Sequence, residues 1–146
     1  MSFFEGILNN TILISALAAW IAAGVLKMLI NLFLAKEINL MLIISSGGFP
    51  SSHSAVVSAL AVGVGKNFGW DSSVFAIAAV FGLIVLHDAI GIRRAAGKQA
   101  VVLNQLVEQF YRSLDFPQER LKELIGHTPL QVFGGVMLGI IVGVLI

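Results

Sequence analysis

The sequence predicts an all-α fold: an integral membrane helical bundle of about four membrane-embedded helices, with one or two interfacial amphipathic helices. Three observations predict it. Of 146 residues, 58% are hydrophobic and only 12% are charged, whereas a soluble domain carries roughly twice that charged fraction. Mean hydropathy is +0.94. Apolar runs at about 11–35, 52–68, 72–91 and 129–146 approach or exceed the length needed to cross a hydrocarbon core of roughly 30 Å. The length supports a single membrane domain, 1–146.

The first ten residues have no basic n-region and carry Glu5, so they do not read as a signal peptide. The first span, about 11–35, is interrupted by Lys27, and an intramembrane ionisable residue is costly and a functional candidate. An apolar run from Ile38 to Ser46 must stay re-entrant or interfacial if the remaining spans are to alternate as expected. The second span, about 52–68, begins at Gly47-Gly48-Phe49-Pro50-Ser51-Ser52-His53-Ser54. Its glycines permit close approach of the backbone, Pro50 sets the turn, and Ser51 or Ser52 caps the helix. Asn67 to Asp71 forms a tight turn with Trp70 suited to an interface, and the third span follows at about 72–91. From about 95 to 125 the chain is polar, but Val102, Leu106, Phe110 with Leu103, Val107 give it an apolar stripe at helical spacing. That segment is expected to lie on the membrane or pack on the domain, broken by Leu114-Asp115-Phe116-Pro117. The last span, about 129–146, opens with Thr128-Pro129-Leu130-Gln131, a capping box with proline at its first helical position. Gly135, Gly139 and Gly143 share one face of it, which fits either close packing within the fold or a homo-oligomer contact.

Four crossings gather Lys36, Gly47 to His53, Asp88 to Lys98 and His127 on one membrane face. Seven basic residues fall there (Lys36, Arg93, Arg94, Lys98, Arg112, Arg120, Lys122), against Lys66 alone on the other. The positive-inside rule places the richer face in the cytoplasm, in a bacterial inner membrane or its organellar equivalent. Net charge is only +1, which gives no case for nucleic-acid binding, and the absence of cysteine excludes thiolate and disulfide chemistry.

Chemistry collects on that face. Two helix N-termini, near His53 and Thr128, point positive dipole ends towards it, and Lys27, Arg93 and Arg94 add full charges. Two histidines offer a nucleophile and an acid. This set suits a phosphate monoester: cations and N–H groups hold the oxygens while one imidazole attacks and the other protonates the leaving oxygen. Each part also has a plainer reading. Arg93 and Arg94 fit as interfacial anchors, Asp88 as their ion-pair partner, and Gln131 as a helix cap, the simpler of its two roles. Asp88 is the only acid in the three polar segments on this face, so neither a metal nor a cofactor is expected.

At these residues the chain resembles the divergent branch of the type 2 phosphatidic acid phosphatase family, related to the acid phosphatases and vanadium-dependent haloperoxidases. The resemblance rests on Gly47–Ser54, on Asp88-Ala-Ile-Gly-Ile-Arg93-Arg94-Ala-Ala-Gly-Lys98-Gln-Ala100 with Asn104, and on Gly126-His127-Thr128-Pro129-Leu130-Gln131-Val132, and covers essentially the whole chain. It implies that Lys27, with Lys36, stands where the superfamily binds phosphate. Pro50-Ser51-Ser52-His53 matches the motif supplying phosphate-binding serine and the general acid, with Ser52 in place of a glycine. His127 falls at the nucleophile. The superfamily places an arginine five residues before that histidine and an aspartate four after it; here Arg120 is the nearest preceding arginine and Gln131 stands at the aspartate's offset. A carboxamide can hold an imidazole nitrogen without carrying the charge of a carboxylate, which makes Asp88 the candidate for that charge.

The function expected is therefore metal-independent hydrolysis of a lipid or polyprenyl phosphate monoester through a phosphohistidine. His127, His53 and Asp88 would be catalytic, and Lys27, Ser51, Ser52, Arg93 and Arg94 would bind phosphate. The partners expected are membrane lipid and a phosphorylated lipid substrate. The alternative is a non-catalytic membrane protein that holds anionic lipid headgroups or a protein partner on the same basic face.

Overall fold

A computed structural model describes residues 3–44, 47–111, 121 and 126–146. Among these, every regular element is a helix: α1 (Phe3–Leu8), α2 (Thr11–Ala35), α3 (Met41–Ile44), α4 (Ser52–Phe68), α5 (Ser73–Ile90), α6 (Ile92–Tyr111) and α7 (Pro129–Leu145). Side-chain caps set the starts. Asn10, Ser51, Ser72 and Thr128 each accept a backbone N–H from the first turn of α2, α4, α5 and α7, satisfying donors that the helix itself leaves open.

After α2 the chain returns along it. Gly24 lies so close to α3 that an added Cβ would stand 2.7 Å from the Ile43 carbonyl oxygen. Gly24 sits about 16 Å below the C-terminal end of α2, at 1.5 Å rise per residue. α3 thus folds back against α2, at the one position of that helix where a missing side chain admits it.

α4 is the central helix, in contact with α2, α5 and α7. Ala19 and Ala23 of α2 meet Ala55 and Ala59 of α4 in a fully buried core of small residues, with Leu138 and Val142 of α7 against it. The α7 glycines complete it. Gly135 lies on the Ser51 carbonyl and Ser54, Gly139 on the Ala55 carbonyl and Ser58, and Gly143 on Val62 and Ala59. All three are buried within this chain, so of the two contacts the spacing allows, these glycines make the intramolecular one. Such small-residue faces bring helix backbones together by dispersion where lipid removes the hydrophobic drive.

At one end of the bundle Lys66 Nζ donates to the Gly143 and Val144 carbonyls, at 3.3 and 2.9 Å. There Gly63 of α4 also meets Ile12 and Ser15 of α2. The end of α2, the start of α4, the end of α5 and the start of α7 therefore share the opposite end.

The 18-residue apolar windows of α2 and of the helical run Ser73–Glu108 have mean hydropathies of 2.1 and 2.2, yet only 33% and 17% of those windows are buried inside the protein. In a soluble protein, helices this apolar would be core. Here their exposed leucines, isoleucines and phenylalanines match a hydrocarbon solvent. α7, with 17 residues, is shorter. α6 starts at Ile92, ahead of the boundary expected near 95. The reason is that Gly91 barely interrupts the helical bonding: its N–H still reaches the His87 carbonyl at 2.8 Å, and Ala95 N–H reaches the Gly91 carbonyl at 2.9 Å. Among the described helices α6 touches only α5, and Val102, Leu103, Leu106 and Val107 are exposed on it. Asn104 holds Leu121 by both backbone groups, at 2.9 and 3.0 Å. The side chain of Phe110 and the break expected at Leu114–Pro117 lie outside the described residues.

Candidate active site

Two backbone hydrogen bonds join the three motif segments. Ser51 N–H donates to the Gln131 carbonyl at 2.9 Å, tying the start of α4 to the start of α7. His127 N–H donates to the Ala89 carbonyl at 3.1 Å, tying the α7 approach to the last turn of α5. Gly48 (φ 88°) and Gly126 (φ 107°) supply the left-handed turns that bring both segments in, a conformation costly for any residue with a Cβ.

The result is a histidine pair. The His53 and His127 rings lie 6.4 Å apart between centroids and are inclined by 56°. His127 is only 3% exposed. Gln131 closes the capping box with Thr128 and also reaches the imidazole. Its Oε1 accepts Thr128 N–H at 2.9 Å and lies 3.2 Å from His127 Nδ1. These two contacts fix the chemistry. A backbone amide can only donate, so the carboxamide atom facing it is oxygen; an oxygen without hydrogen can only accept, so Nδ1 carries the proton. Neutral His127 is thereby held as the tautomer with its lone pair on Nε2. The cap and the orienting contact expected as alternatives coexist on one atom.

Around the pair, the serines divide their work. Ser51 is fully buried, and its Oγ accepts from Ser54 N–H at 3.3 Å and Ser54 Oγ at 2.9 Å. Ser52, 5% exposed, has a buried Oγ with no hydrogen-bond partner among the described residues. The sequence reading missed Ser54, although its spacing of three from a helix cap was the available signal. Lys27 is also buried, at 3% exposure, and its Cδ would lie 3.4 Å from a Cβ on Gly48. It thus runs beneath the Gly47–Ser51 turn. Asp88, half-buried, sits beside the Ala89 carbonyl that holds His127. Arg94 is exposed in the first turn of α6, and Lys36 is exposed at the end of α2. The side chain of Arg93 lies outside the described residues, as do Arg112, Arg120 and Lys122. No group of three His, Cys, Asp or Glu suited to a metal forms among the described residues.

The family model described as Divergent PAP2 family matches residues 8–142. The chain belongs to the Divergent PAP2 family. It is also 46% identical to YuiD of Bacillus subtilis (strain 168), described as an uncharacterized membrane protein, over 92% of each chain. No solved structure matches it. In this Divergent PAP2 chain all three motif segments fall inside the matched range, and the site lies where α4, α5 and α7 converge. Membrane character now rests on two independent observations: the unburied apolar helices and the relative.

Proposed function

We propose that the protein hydrolyses a lipid phosphate monoester through a phosphohistidine on His127. The observation that carries the reading is the histidine pair, 6.4 Å apart, with one tautomer locked. The Nε2 lone pair of His127 attacks phosphorus, and the P–O bond to the lipid breaks. The electron pair leaves with the oxygen, which takes the proton of the His53 imidazolium and departs as an alcohol. Water then gives a proton to His53 and attacks phosphorus; the P–N bond breaks and its pair returns to Nε2. Lys27 and the first N–H groups of α4 stabilise the equatorial oxygens, and Asp88 stabilises the charge that develops on His127. No step is assigned to a metal.

Purified protein in detergent should therefore release inorganic phosphate from a panel of lipid monophosphates, with chelator present. Saturable lipid binding without any release would sink the hydrolase and leave the non-catalytic headgroup binder. We place the site on the cytoplasmic side from the basic count. In a chain without cysteine, a cysteine introduced at exposed Gln99 should resist an impermeant thiol reagent in intact cells. Ready labelling would invert the topology.

Gln131 offers a sharper test, because its oxygen serves two donors. Gln131→Ala should cost about 1 kcal/mol of stability through the lost cap and also lower turnover by freeing the tautomer. Gln131→Glu keeps both acceptors, adds charge beside the forming imidazolium and should raise turnover. If Gln131→Ala shifts the melting temperature alone, the residue is a cap and nothing more.

A further inference from the structure

Beside the three packing glycines of α7 stands a fourth, Gly134. The three atoms nearest a Cβ built there all belong to the Phe49 ring, at 2.5, 2.6 and 3.5 Å. The ring therefore occupies the space that a side chain at residue 134 would fill. One residue back along the turn, Gly48 lies over α2: a Cβ there would meet Lys27 Cδ and Cγ at 3.4 and 3.6 Å. Two residues on from Phe49, Ser51 N–H donates to the Gln131 carbonyl. The turn at 47–50 is thus fastened to α7 on both sides of Pro50, and it covers the stem of a lysine that is only 3% exposed.

A lysine within a span has a flexible stem and lowers its energy by reaching for water. The hydrogen bond at Ser51 fixes one point of the turn and alone would leave it free to swing about that point. The ring on Gly134 supplies the second. We propose that Phe49 is a positioning residue for Lys27: seated on Gly134, it holds the turn down on the lysine stem and keeps the ammonium where phosphate is bound. This deepens the hydrolase reading and rests on it for the phosphate that the ammonium meets. Gly134 then serves the site, whereas Gly135, Gly139 and Gly143 serve the packing of α7 on α4.

The geometry can be read without turnover. Reductive methylation with formaldehyde, followed by mass spectrometry, should label exposed Lys36 and Lys98 quickly and buried Lys27 slowly in wild type. Phe49→Ala should raise labelling of Lys27 at least about tenfold relative to those two lysines. Gly134→Ala should do the same, because its methyl group displaces the ring, and Phe49→Leu should restore protection. Should Phe49→Ala fail to fold, Gly134→Ala carries the test alone. Binding of orthovanadate, measured by calorimetry in the same detergent, should weaken about tenfold in Phe49→Ala and no further when Phe49→Ala is added to Lys27→Met. A side chain that served the fold alone would weaken binding equally in both backgrounds. Unchanged labelling of Lys27, no saturable vanadate binding by wild type, or a loss that persists in Lys27→Met overturns the proposal. Phosphate release with unchanged labelling sinks this inference alone, whereas the expected labelling and binding with no release sink the hydrolase.

Discussion

Replacing His127 by glutamine is expected to lower phosphate release by at least about 10³-fold, within the range by which loss of a covalent nucleophile lowers turnover. The fold should tolerate the change, because the bond from residue 127 to Ala89 is made by the backbone. Melting temperature and detergent elution profile should therefore stay close to wild type. His53→Gln should behave differently, since it removes an acid and leaves the nucleophile. The need for general acid catalysis grows with the basicity of the leaving oxygen. His53→Gln should then lose little with a nitrophenyl phosphate, whose phenolate departs unaided, and lose heavily with an alkyl phosphate. Brief incubation with labelled substrate and an acid-free quench should trap an acid-labile, base-stable phosphoenzyme in wild type and none in His127→Gln. Label on a serine, or full turnover by His127→Gln, would remove His127 from the chemistry.

The helices were legible because each signal is local. The runs at 11–35 and 52–68 coincide with α2 and α4, and Ser51 and Thr128 cap where their side chains allow. α6 begins ahead of the boundary near 95 because that boundary marks where the chain turns polar, whereas the helical bonding continues through Gly91. Spacing alone could not say whether Gly135, Gly139 and Gly143 meet another helix of this chain or a second copy, since both demand the same small face. Nor could it choose between Ser51 and Ser52 as the cap, which depends on where the backbone enters α4. The two roles of Gln131 were set against each other because each was read from a single pattern. A carbonyl oxygen has two lone pairs, and the fold uses both. The His53–His127 approach is tertiary: it depends on Ser51 meeting Gln131 and His127 meeting Ala89 across three separated segments.

The largest stability effect should come from Gly139. A Cβ there would press into the Ala55 carbonyl oxygen and stand 2.8 Å from the Ser58 Cβ, so neither backbone nor neighbour can yield cheaply. Gly139→Val should therefore push α7 off α4 and cost about 3 kcal/mol, the upper part of the usual overpacking range. The site should suffer with the fold, because the displaced helix carries Gln131, whose carbonyl holds Ser51 and whose side chain holds His127. Met137→Val puts the same residue type on an exposed face of the same helix and should change little. Melting temperature in one detergent, with sedimentation to count subunits, separates the explanations. A large fall for Gly139→Val at unchanged subunit number supports packing within the chain. An unchanged melting temperature with a dimer converted to monomer would mean that the glycine face joins two copies, and the assignment of α7 to α4 would be wrong.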